Sequence, residues 1–166
     1  FSMTAQPKFI TDASLTGLAK WLRLLGYDTV VYSGKAGRPM MRQAQEQNRI
    51  VLTRRRDMLE RQFSGDIFLL PAAGAGPQLG FVIRKLSLKI DYNNMYRICM
   101  ICNSRLSPTT RGEVHDQVPL FVYENYDRYN RCDRCGKIYW PGTHVRNALQ
   151  FLKDNDINVA VQDQMP

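Results

Sequence analysis

The sequence predicts an α/β fold: a three-layer domain with a parallel sheet over residues 4–90, followed by a small β module stapled by metal over residues 91–153, with 154–166 as a tail. Three observations carry this. Short apolar runs alternate with helical periodicity through the first ninety residues, which argues for a mostly parallel sheet covered on both faces. The texture changes after Arg97, where turn residues and aromatics replace sustained periodicity. All four cysteines then fall into two C-x-x-C pairs.

The first strand ends at Phe9 and Ile10, and Asp12 follows where strand gives way to helix. Leu15, Leu18, Ala19, Leu22 and Leu25 recur at three- and four-residue steps and so share one helical face, with Lys20 and Arg23 expected on the exposed side. Gly26 is placed to end this helix in a left-handed cap. Thr29–Tyr32 reads as a second strand. A helix opens near Pro39 and runs through Met40, Met41 and Ala44 to Asn48. Ile50–Leu52 is a third strand ending at Thr53-Arg54-Arg55-Arg56-Asp57, and a short helix through Met58, Leu59 and Phe63 follows. Ile67–Leu70 is the fourth strand. Leu79, Val82, Ile83 and Leu86 share a face of the next helix, and Thr143–Leu152 forms the last.

The net charge of +8 is concentrated in one half of the chain. Residues 1–90 carry 14 Lys and Arg against 6 Asp and Glu, whereas residues 91–166 carry 9 of each. A basic surface without an amphipathic basic helix suits nucleic acid before membrane, although charge also serves solubility. No apolar run approaches the roughly 18 residues a bilayer span needs, and no secretory leader is evident. The expected location is the cytoplasm.

Cys99-Met-Ile-Cys102 and Cys132-Asp-Arg-Cys135 are spaced to form two tight knuckles, whose four thiolates suit tetrahedral zinc. The 29 intervening residues exceed the usual spacing, which a hairpin insertion accommodates. With four protein ligands such a site is closed and structural; disulfides or a redox pair are the alternatives. Asp12 and Asp57 sit beyond the ends of the first and third strands, where carboxylates collect in open α/β sheets and hold Mg²⁺ or Mn²⁺ for phosphodiester hydrolysis. Thr53 is positioned to orient one of them. Asp12 is equally placed to be a helix cap and nothing more. Asp28 and Asp66 lie at strand starts, on the opposite edge. Lys20, Arg23, Arg54, Arg55 and Arg56 are candidates for binding a phosphate backbone. Arg128, Arg131, Arg134 and the nearby tyrosines add basic and aromatic surface suited to unstacked bases. His144 is either a packed structural histidine or an RNA contact.

The segment F-I-T-D-A-S-L-T-G-L-A-K-W-L-R-L-L-G-Y-D-T, the strand I-V-L-T-R-R-R-D, the knuckles C-M-I-C-N and C-D-R-C-G-K, and I-Y-W-P-G-T-H resemble the Mut-seven C-terminal RNase domain family, from about Lys8 to Leu152. The resemblance implies a PIN-like nuclease fold with a zinc ribbon, a metal-dependent ribonuclease activity on single-stranded or structured RNA, Asp12 as the family's first acid and the four cysteines as zinc ligands. The chain departs from the family pattern at two points. The family's third-strand motif T-R-D has Arg55 at the position of its aspartate, and Gly37-Arg38-Pro39 replaces the acids at the start of the second helix. Exchanging a carboxylate for a guanidinium removes a cation ligand and puts positive charge in its place. Two functions are therefore expected: a metal-dependent ribonuclease, or an RNA-binding module without catalysis.

Overall fold

A computed structural model describes residues 6–61 and 63–160. Its centre is a four-stranded, all-parallel sheet in the order β2-β1-β3-β4, built from β1 (Lys8–Asp12), β2 (Thr29–Tyr32), β3 (Arg49–Thr53) and β4 (Ile67–Leu69). Alternate side chains of a strand face opposite sides of the sheet. Phe9 and Leu52 accordingly fall in one apolar cluster, with Leu18 and Leu22 of α1 (Thr16–Leu24) and Leu79 and Val82 of α3 (Ala75–Leu86). Their neighbours Ile10 and Val51 fall in a second cluster, against Met40, Met41 and Ala44 of α2 (Arg38–Glu46). Two clusters on two faces make the three layers that alternating strands and helices predict.

The link from β3 to β4 is shorter than expected. Among the described residues it holds one 3-10 stretch, Arg56–Glu60, that buries Met58 and leaves Leu59 exposed. Gly26 ends α1 at φ +97, and its missing Cβ leaves room for the carbonyl of Asn94.

The second half forms an antiparallel sheet in the order β5-β6-β7, from β5 (Leu106–Thr109), β6 (Tyr129–Cys132) and β7 (Ile138–Tyr139). The long spacer between the cysteine pairs is more than a hairpin: between β5 and β6 it holds a 3-10 turn and the helix α4 (Leu120–Asn125). Helix α5 (Thr143–Asp154) then leaves this module. Its Ala148 and Leu152 belong to the same cluster as Phe9, and Phe151 stacks on Trp21 of α1 at 4.1 Å with the rings 9° apart.

The chain just beyond residue 153 also reaches the core. Ile157 is 5% exposed in the main core, and Ala160 bridges Asp91 in parallel, its amide donating to the Ile90 carbonyl. Residues 154–160 therefore return to the first domain; the rest of the expected tail, 161–166, lies outside the described residues. Apolar burial holds α5 there, since a helix whose inner face meets the sheet domain gains nothing by staying on the small module. Among the described residues no helix is long and apolar enough to cross a membrane.

Leu152→Ala is expected to cost about 3 kcal/mol, within the usual range for emptying a fully buried leucine site. Denaturation followed by both tryptophan emission and backbone dichroism should show one coincident, earlier transition. Early melting of the small module alone would contradict a shared core.

Candidate functional site

Two sites emerge, one at the carboxyl edge of the parallel sheet and one at the four cysteines. In the order β2-β1-β3-β4 the chain leaves β1 in one direction and reaches β3 in the other, so the switch point lies between the ends of β1 and β3. Asp12 ends β1 and Thr53 ends β3. The cleft above them draws on all four strand ends: Asp12 and Ser14 after β1, Gly34 after β2, Arg54 and Arg55 after β3, and Ala72 after β4.

Asp12 is 7% exposed and caps the 3-10 turn Ala13–Leu15. Its Oδ1 accepts from the Ser14 amide at 2.8 Å and the Ser14 hydroxyl at 2.5 Å. The capping role is thus realised in a residue that also lines the cleft. Ser14 was not singled out from sequence, though D-x-S at a strand end carries that signal.

The remaining candidates divide. Arg54 and Arg55 line the cleft, and Asp12 raises the Arg55 pKa after the larger effect of Asp57. Asp57 does not line it. Its carboxylate is gripped by Arg55, with Nε to Oδ1 at 3.1 Å and Nη2 to Oδ2 at 3.0 Å, and this pairing holds Asp57 below the usual carboxylate range. Thr53 orients neither acid; its hydroxyl accepts from the Arg55 amide at 3.0 Å and so fixes the arginine loop. Arg56 is exposed and lies outside the cleft lining. The fit to a divalent cation fails on these donors. Mg²⁺ and Mn²⁺ take hard oxygen ligands in a negatively charged setting. Here the lining offers one carboxylate, whose Oδ1 already accepts two hydrogen bonds, beside Arg54 and Arg55, an arrangement suited to an anion.

The cysteines do converge. The sulfurs of Cys99, Cys102, Cys132 and Cys135 all lie within 4.8 Å of one another, and those of Cys99 and Cys135 are 3.8 Å apart. Tetrahedral zinc with Zn–S of about 2.3 Å sets sulfurs about 3.8 Å apart, so this set can hold a metal ion such as zinc. Each knuckle closes alike. Asn103 and Gly136 adopt φ +62 and +79, their amides donate to the carbonyls of Cys99 and Cys132, and the amides of Cys102 and Cys135 point at the sulfurs of Cys99 and Cys132. The Tyr139 hydroxyl lies 3.2 Å from the Cys99 sulfur. Burial pushes the Cys99 thiol up, but Tyr139 and the knuckle amides outweigh it and leave it at about 7. Burial, the neighbouring thiols and that negative charge push Cys102 up to about 12. Four thiolates in this space therefore need a cation between them.

Arg23 is the main correction. It is 8% exposed, and it is bound away from any phosphate: Nε donates to the Thr29 carbonyl at 2.9 Å, and Nη1 to the carbonyls of Met100 at 2.9 Å and Ile101 at 3.1 Å. It ties α1 to the first knuckle. Asn103 adds a second tie, accepting from the Thr29 amide and donating to Asp28, which also holds Arg49. A sequence signal for Arg23 existed, since it continues the i, i+4 row of Leu15 and Ala19 onto the packed face. Asp28 and Asn103 gave none. Lys20 is exposed on α1, and His144 is exposed in the first turn of α5, where its carbonyl accepts from Tyr96. Arg134 is exposed within the second knuckle, while Arg131 is half-buried, with Nη2 3.4 Å from the Glu113 carbonyl.

These features define a class: a parallel α/β domain with a basic cleft at its switch point and a docked four-cysteine module. A family model, the Mut7-C RNAse domain, matches residues 7–152. The chain belongs to the Mut7-C RNAse domain family, and a nuclease-like function follows from that membership. Neither the curated proteins nor the solved structures contain a match.

Arg23→Met is expected to remove the donor from the buried Thr29 carbonyl and the part-buried Met100 and Ile101 carbonyls, and to destabilise by about 3 kcal/mol. It should also weaken zinc retention about tenfold against a chelator, as loss of outer-shell support does. Unchanged retention would show that the docking is dispensable. Asp28 is held below the usual carboxylate range by Arg49 and Asn103, against the opposing effect of burial. Its contribution is present above the unfolded pKa near 3.9 and disappears as pH falls through the lower folded value. Asp28→Asn should therefore flatten that part of the acid denaturation curve.

Proposed function

We propose that this chain is an RNA-binding, ribonuclease-type domain of PIN-like architecture. Its cleft grips the phosphodiester backbone through Arg54 and Arg55 beside Asp12. One observation carries the reading: among the described residues, Arg54 and Arg55 line the switch-point cleft beside a single carboxylate, Asp12, that is already hydrogen-bonded. Guanidinium forks match phosphate oxygens, and the surplus of positive charge in residues 1–90 extends the attraction along a strand. Lys20 and Arg134, both exposed, are further backbone contacts in this reading.

Zinc is the metal we assign to Cys99, Cys102, Cys132 and Cys135, with a structural role. When bound it supplies a closed tetrahedral crosslink between the two knuckles. The chain's own part is to present thiolates: amides and the Tyr139 hydroxyl point at sulfur, and Arg23 offsets their negative charge from behind the first knuckle. A reducing, cytoplasmic setting suits such thiols.

A second reading, metal-dependent cleavage, is favoured by the exposure of the Arg55–Asp57 pair. The two side chains are 42% and 47% exposed, and solvent screens a pair this open, so substrate can separate it. Labelled single-stranded and hairpin RNA, incubated with zinc-loaded protein and Mn²⁺, Mg²⁺ or chelator, decides between them. We expect binding without cleavage, falling steeply with salt. Arg54→Ala and Arg55→Ala should each lower the single-strand salt slope by about 0.7. Cleavage that needs the divalent ion and vanishes in Asp12→Asn would replace this reading with the second.

Metal removal gives a further test. Chelation should unfold the β5-β6-β7 sheet while the parallel sheet persists, visible as loss of Trp140 signal, and lowering the pH should weaken metal retention because the thiolates protonate.

A further inference from the structure

A groove crosses the seam where α1, α5 and the cysteine module meet, and it shares no lining residue with the Asp12 cleft. It consists of two adjoining hollows of about 390 and 430 Å³, whose common wall is Tyr96, Tyr139 and Trp140. Each volume lies in the roughly 300–1,000 Å³ range of sites that take a small ring-bearing group. The first hollow is walled by aromatics that stay partly open to solvent, Trp21 and Phe151 among them. Lys20 and Lys137 line it together with His144, and among the described residues no carboxylate does. The second brings Arg128, Tyr129 and Asn130, against one acid, Asp127.

Open aromatic walls are costly to leave in water, and the surrounding charge says what covers them. An apolar partner helix would have no use for Lys20, Lys137, His144 and Arg128 around its seat. A nucleic acid would use both features: every base has a π-face for Trp and Tyr, and every base brings a phosphate. The lysine ammonium of Lys137 already lies 5.5 Å over the Tyr139 ring, and the His144 ring stands edge-on to Trp140 at 6.5 Å. Asn147 adds an amide that can read a base edge in the first hollow, as Asn130 can in the second. A duplex is excluded from such hollows, because its bases are paired and stacked inside the helix.

We propose that this groove is a single-strand site, holding two consecutive unstacked RNA bases, one on each side of Trp140, with their phosphates toward Lys20 and Arg128. The inference rests on the RNA-binding reading above and adds a second contact surface to it. The zinc module then has a task beyond stability: it supplies the wall that turns a face of α1 and α5 into a groove.

The test uses the zinc-loaded full chain and three probes: an eight-nucleotide oligouridylate, an abasic oligomer of the same length and charge, and a blunt RNA duplex. Binding of the oligouridylate should exceed that of the abasic oligomer about tenfold or more, and it should quench tryptophan emission where the abasic oligomer does not. Trp140→Leu should remove that preference and leave duplex binding unchanged. Equal binding of the two oligomers by the parent, or a Trp140→Leu chain that keeps the preference, would overturn the proposal and leave the groove to a protein partner. Should Trp140→Leu fail to fold, the parent's own preference and quenching decide alone. Salt-sensitive RNA binding that is blind to bases sinks only the groove; absence of binding to every RNA probe sinks the RNA reading with it.

Discussion

The buried guanidinium of Arg23 is the contact on which the arrangement depends. It reaches from α1 to three carbonyls, one at the start of β2 and two within the first cysteine knuckle. A guanidinium at 8% exposure survives only if its donors are met, because an unpaired buried charge costs several kcal/mol. Here the donors are met by the Thr29 carbonyl and by the Met100 and Ile101 carbonyls of the first knuckle. The side chain therefore does two things at once. It holds the knuckle against the sheet domain, and it sets a positive charge behind four sulfurs that carry negative charge when they bind metal. Asn103 works in parallel. Its left-handed backbone closes the knuckle as Gly136 does in the other, while its amide side chain reaches Thr29 and Asp28, which glycine could not do.

With that docking in place, the two halves share one core. Helix α5 closes the face of the sheet opposite α2, burying Ala148 and Leu152 beside Phe9 and stacking Phe151 on Trp21. The segment after it continues inward to Ile157 and Ala160. The cysteine module is thus clasped between two pieces of chain that both belong to the sheet domain. Its position is set from both ends, which is what allows a groove of fixed shape at the seam.

Electrostatics decides the character of the cleft. A sheet of this order concentrates strand ends at one point, and nearly any chemistry can be mounted there. In this chain Asp12 spends its near oxygen on Ser14, Thr53 holds the arginine loop, and Arg55 neutralises Asp57. Each contact is a short-range one between residues two apart. Together they leave the strand ends with one hydrogen-bonded carboxylate beside two arginines.

Much of this was legible in the sequence because it is local. The alternation at Phe9-Ile10 and Val51-Leu52 sends neighbours to opposite faces; the three- and four-step rows place Leu18, Leu22, Leu79 and Val82 inward; and two C-x-x-C pairs followed by Asn and Gly close into knuckles. Asp12 at a strand end was visible for the same reason. What the tertiary structure decided depends on partners far along the chain. Arg23 reads as a surface cation until Met100, 77 residues later, supplies the carbonyl it binds. The chain after Asp154 reads as a tail until Ala160 meets Asp91, and the aromatics of α1, β7 and α5 form a groove only once the module is docked. Periodicity and spacing fix which face a residue takes within its own element; which distant group satisfies a buried donor or completes a cavity is settled only when the elements pack.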